Sequence, residues 1–65
     1  MFYFYRYYFN SANIVTMRTD AYDNTIKILL TTGKTITIYC SDYQQVQERE
    51  KEFLEKFQKT LDKSH

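Results

Sequence analysis

Proline and tryptophan are absent from this 65-residue chain, and glycine, cysteine and histidine occur once each. A lone cysteine, Cys40, excludes an internal disulfide framework. With His65 as the single histidine, no Cys/His group has zinc-ligand spacing, and no metal or cofactor is expected. The want of Pro, of Ser/Gly-rich stretches and of internal repeats points to one small domain over 1–65 with short connections. Charge excess is lacking too. A formal net charge of +1 gives no global attraction to nucleic acid, membrane or an acidic partner, so such binding needs a local patch. The opening MFYFYRYYF is too short to span a bilayer, and without a basic segment before it or a small-residue cleavage site after it we do not read it as a secretory signal. No membrane association is expected, and a chain without disulfides is expected in the cytoplasm.

What the chain does have is aromatic. Of its 7 tyrosines and 5 phenylalanines, Phe2, Tyr3, Phe4, Tyr5, Tyr7, Tyr8 and Phe9 fall in the first nine positions, interrupted only by Arg6. From Phe2 to Cys40 the residues are Tyr, Phe, Ile, Val and Thr in period-two alternation, which predicts strands over 2–9, 14–19, 25–30 and 34–40. From Asp42 the period becomes helical and predicts a helix over 42–62. The expected fold class is α+β, a four-stranded antiparallel meander with a C-terminal amphipathic helix on one face (β-β-β-β-α).

Turn chemistry supports the segmentation. Asn10-Ser11-Ala12-Asn13 and Tyr22-Asp23-Asn24 carry side chains that bond their own backbone. A three-residue loop Thr31-Thr32-Gly33 places the glycine at the left-handed position of a type I turn with a G1 bulge. That register opposes Leu30 to Lys34, Ile28 to Ile36 and Ile26 to Ile38, so the apolar residues share one face; a two-residue loop would oppose Ile to Thr. On the helix, Tyr43, Val46, Phe53, Leu54, Phe57 and Leu61 form one stripe. Ser41 with Gln44 has capping-box spacing, Glu52–Lys56 and Glu55–Lys59 are i,i+4 pairs, and Lys59 and Lys63 suit the C-terminal end.

Candidates for chemistry are few. Cys40 precedes the proposed helix cap, where a thiol can be activated, but no base and orienter accompany it, and we read it as a small buried residue. His65 is the last residue, a frayed end. Glu48, Glu52, Glu55 and Asp62 line a solvated helix face, whereas Glu50 falls inside the apolar stripe between Val46 and Phe57. A buried carboxylate needs a cation, and Arg6 is the matching anomaly in the aromatic strand, so an Arg6–Glu50 ion pair between helix and sheet is expected. Phe2, Phe4 and Tyr8 then face the helix with Arg6, and Tyr3, Tyr5, Tyr7 and Phe9 are the partner-interface candidates.

A single helix covers one face of the first strand, which leaves at least three aromatics outside, near the patch size monomers seldom expose. We read the chain as a non-enzymatic interaction module without a small-molecule substrate, self-associating as a homodimer through this strand. One alternative is single-stranded nucleic-acid binding with Tyr3, Tyr5, Tyr7, Arg18 and Lys27 on one sheet face. Another is a small inhibitor or regulatory subunit of a heterologous protein. Low Gly and Pro with abundant Lys, Tyr, Thr and Asn fit a small accessory protein of an AT-rich bacterial, plasmid or phage genome.

Overall fold

The computed structural model describes residues 1–62, with positions 61 and 62 described by backbone alone, so the Leu61 side chain, Lys63 and His65 lie outside the described residues. The class is α+β: antiparallel strands followed by one C-terminal helix packed on them. The strand count is where structure and expectation part. The aromatic stretch expected as one strand over 2–9 is a hairpin, β1 (Phe2–Phe4) and β2 (Tyr7–Phe9), which forms a two-stranded sheet of its own. A 3-10 turn over Ser11–Asn13 leads into β3 (Ile14–Asp20), β4 (Thr25–Leu30) and β5 (Thr35–Tyr39), a second sheet in the order β3-β4-β5, and α1 (Tyr43–Asp62) closes the chain.

The β1–β2 turn is made by Tyr5 and Arg6, at φ 48° and 74°. Positive φ at both central residues of a two-residue loop is the type I′ hairpin turn, ordinarily the place of Asn-Gly. Two turn residues reverse the parity of everything after them. Phe2 lies opposite Phe9, Tyr3 opposite Tyr8 and Phe4 opposite Tyr7, so Phe2, Phe4, Tyr7 and Phe9 share one face, and Tyr3 and Tyr8 the other.

The β4–β5 hairpin has the register derived above. Ile26 pairs with Ile38 and Ile28 with Ile36, Leu30 N donates to Lys34 O at 2.9 Å, Gly33 N donates to Leu30 O at 2.9 Å, and Gly33 has φ 88°. Between β3 and β4, Asp20 Oδ1 accepts from Tyr22 N at 2.8 Å, Asp23 Oδ1 accepts from the Thr25 hydroxyl at 2.7 Å, and Asn24 takes φ 55°. Asn and Asp tolerate that left-handed conformation better than most residues.

Phe2, Phe4 and Phe9 from the hairpin meet Ile26, Ile28 and Ile38 from the larger sheet and Val46 and Phe53 from α1 in one buried cluster. Phe53 is its hub, with ring edges against Phe2 (5.5 Å), Phe4 (5.2 Å) and Phe9 (5.9 Å). The hairpin also settles which way α1 turns about its axis. Arg49 lies over the Tyr5 ring at 5.6 Å and Lys56 Nζ donates to Tyr3 O at 2.7 Å, so that flank of the helix is drawn inward. Tyr43 and Leu54, expected in the apolar stripe, are exposed in consequence. Glu52, expected to pair with Lys56, instead meets Arg49 at 3.7 Å. The helix cap is one residue later than the spacing predicts: Asp42 Oδ1 accepts from Gln45 N at 2.8 Å, and Gln45 Oε1 accepts from Ser41 N at 2.9 Å. Asp42 is thus the cap, with the first half of a capping box, while Gln45 reaches back one residue further, to Ser41 N rather than to Asp42 N.

Candidate functional site

Aromatic residues are sorted by type. Phe2, Phe4, Phe9 and Phe53 are buried and Phe57 is half-buried, whereas each of the tyrosines keeps at least 41% of its surface in solvent. The phenolic hydroxyl explains the division, since a buried one needs a hydrogen-bond partner that this apolar core does not supply. Four of the exposed tyrosines stand on the first hairpin.

Two surfaces result. On the outward face of β1–β2, Tyr3 (48% exposed) and Tyr8 (74% exposed) form a cross-strand pair, rings edge to face with centroids 4.8 Å apart, and Met1 is exposed beside them in sequence. At the hairpin tip, Tyr5, Arg6 and Tyr7 meet Thr37, Ile38 and Tyr39 of β5 around a cleft of about 410 Å³. The tip is held to the strand by a long hydrogen bond of 3.5 Å from the Tyr5 hydroxyl to Tyr39 O, and by Arg49 over the Tyr5 ring. Left-handed backbone at two non-glycine residues is strain, and strain of this kind gathers at functional positions.

The expected site residues are therefore redistributed. Tyr3 faces outward on the hairpin, Tyr5 and Tyr7 border the tip cleft, and Phe9, expected outside, is in the core at 2% exposure. The Arg6–Glu50 ion pair does not form. Arg6 is an exposed turn residue, whereas Glu50 is half-buried on the other flank of α1 beside Leu54 and Lys51, and among the described residues the ion pair is Arg49–Glu52. Nor do Tyr3, Tyr5 and Tyr7 share a sheet face with Arg18 and Lys27, which belong to the other sheet. Tyr8, Tyr39 and Arg49 escaped the sequence reading. A signal for Tyr8 was present: FYFYRYYF folded about Tyr5-Arg6 pairs Phe2 with Phe9 and Tyr3 with Tyr8, although Phe4 then meets Tyr7.

Cys40 is half-buried at the end of β5, its amide donating to Asn24 O at 2.9 Å. Burial pushes its thiol above the ordinary value, Arg49 pulls it back and Asp42 adds to the rise. A thiol held protonated is a poor nucleophile. Among the described residues no group of three or more His, Cys, Asp or Glu could hold a metal ion, and no helix is long and apolar enough to cross a membrane. Set against known protein families, curated proteins and solved structures, the chain matches none.

Proposed function

We propose that this chain is a non-enzymatic protein-interaction module that self-associates through the outward face of its aromatic hairpin. The division of aromatics carries the reading: Tyr3 and Tyr8 stand paired on a face that the fold leaves bare, while the phenylalanines of the same strands are inside. Tyrosine joins a large apolar ring to a polar tip and is enriched at interfaces for that reason. A second copy is the partner that also answers a thermodynamic need. A 65-residue chain buries about 60% of its unfolded surface, and its core is small enough that added burial between subunits is a large gain. The same pair meeting its copy across a two-fold axis makes an isologous contact. Tyr3 and Tyr8, 48% and 74% exposed, offer on the order of 250 Å² at ~150–250 Å² per whole ring, about a third of the ~800 Å² each partner of a standard interface buries.

Sedimentation equilibrium over a micromolar to submillimolar range tests this, with Tyr8→Lys as the disrupting variant. The expected result is a concentration-dependent dimer that the variant shifts to monomer while its circular dichroism is kept. A wild-type chain that stays monomeric at several hundred micromolar overturns the reading.

A further inference from the structure

The outer face of the β3-β4-β5 sheet, turned away from the hydrophobic core, holds a charge arrangement that folding alone disfavours. Arg18 of β3 lies directly opposite Lys27 of β4. Like charges in that relation destabilise a strand pair. Neither cation has an ion pair among the described residues. By strand alternation Asp20 shares this face, opposite Thr25 and diagonal to Lys27, and its Oδ1 accepts from Tyr22 N in the β3–β4 turn, where Asp23 Oδ1 accepts from the Thr25 hydroxyl. The two cations, with Thr16, Thr35 and Leu29, line a concavity of about 400 Å³. Next to them on the same face by strand alternation stands Tyr39, opposite Thr25 and 72% exposed, so that Lys27 is its diagonal neighbour at roughly 7–8 Å. Beyond Tyr39 lies the hairpin-tip cleft, where Arg6 and Tyr7 add a further exposed cation and ring.

We propose that this face, continued past Tyr39 into the hairpin-tip cleft, binds single-stranded nucleic acid. The Arg18–Lys27 pair and the flanking threonine hydroxyls take the backbone phosphates, and Tyr39 and Tyr7 receive bases by stacking. A directly opposed cation pair that makes no ion pair, beside hydroxyl donors, suits a phosphate, and an anion seated between the two turns their mutual repulsion into a shared attraction. Exposed rings a short step away favour a nucleic acid over an acidic peptide, because every base has a face to stack and a glutamate side chain has none. This site is separate from the Tyr3–Tyr8 face and does not require the chain to self-associate. The low net charge makes the binding weak and local. With phosphates held by Arg6, Arg18 and Lys27, affinity falls roughly 20-fold from 50 to 200 mM salt, from a slope of about −0.7 per phosphate for single strands.

Fluorescence anisotropy of a labelled 20-nucleotide single strand, DNA and RNA in turn, tests the site. Wild type is expected to bind at 50 mM salt with the stated salt dependence. Arg18→Ser with Lys27→Thr is expected to weaken binding at least tenfold, and Tyr39→Ala about tenfold. Lys27→Thr removes the repulsion, so its thermal midpoint is expected to equal or exceed that of wild type, which separates loss of the site from loss of the fold. No binding at 50 mM salt overturns the proposal, as does binding that the charge variants leave unchanged. Polyglutamate of equal charge competing as well as the oligonucleotide overturns it in favour of an acidic protein. Inorganic phosphate shifting the Arg18 and Lys27 amide resonances, with the oligonucleotide inert, overturns it in favour of a small anion.

Discussion

The β4–β5 hairpin turns on Gly33 at φ 88°, with no atom within 4 Å of where a Cβ would sit, whereas the β1–β2 hairpin turns on Tyr5 and Arg6 at φ 48° and 74°. Glycine takes that conformation freely; for other L-residues it costs roughly 1–2 kcal/mol each. The first turn therefore carries on the order of 2–4 kcal/mol of strain that the second does not. What holds it closed is packing, since burying Phe2, Phe4 and Phe9 is worth roughly 5–9 kcal/mol at ~1.5–3 kcal/mol per side chain, an upper bound. One hairpin is specified by its turn. The other is imposed on its turn by its strands.

The sharpest way to break this comparison is to remove a ring. Phe4→Ala is expected to cost about 3–5 kcal/mol in urea denaturation, because it both opens a cavity against Phe53 and releases the strained turn. A loss near 1 kcal/mol would mean that the first hairpin does not depend on the core. Smaller and more diagnostic is a pair of turn substitutions with opposite signs. Gly33→Ala is expected to destabilise by about 1–2 kcal/mol from backbone strain alone, whereas Arg6→Gly is expected to stabilise by about 1 kcal/mol or less. Thermal midpoints should move by about 4–8 °C per kcal/mol in a domain of this size. Shifts of the same sign would end the contrast.

The smallest effect concerns the exit of the second hairpin. If the chain is firm just past the end of β5, the raised Cys40 thiol is less readily ionised than in the unfolded chain, and iodoacetamide at pH 8 alkylates it more slowly. The sign follows from the raised thiol: the folded state holds the proton longer than the unfolded one, so the stabilisation is complete below the ordinary thiol value of 9.0 and is lost as pH rises through the raised value of the folded chain. Alkylation at the unfolded rate would show a frayed strand end.

The contrast between the hairpins also explains what could be read in advance. The β4–β5 register was legible because Gly33 marks its turn and one register alone opposes Ile to Ile. The β1–β2 turn carries no Gly, Asn, Asp or Pro, and a run of aromatics broken only by Arg6 satisfies period two whether the strand continues or reverses. Reading it as continuous put Phe9 outside and Arg6 inside, and that error produced the expected Arg6–Glu50 pair. The rotation of α1 was equally hidden. Arg49 and Lys56 are drawn in by the Tyr5 ring and the Tyr3 carbonyl, groups that reach them only after the hairpin has formed.

By itself the amino-acid sequence determined the fold class, the position of the helix, the Gly33 turn and the surplus of aromatics over what one helix can cover, all of which follow from local periodicity and turn chemistry. The tertiary structure decided which aromatics are inside. Only when the first strand doubles back can its phenylalanines all reach Phe53, and only then are Tyr3 and Tyr8 left in solvent. That choice is made by burial summed over three elements distant in sequence, a quantity no short window of residues contains.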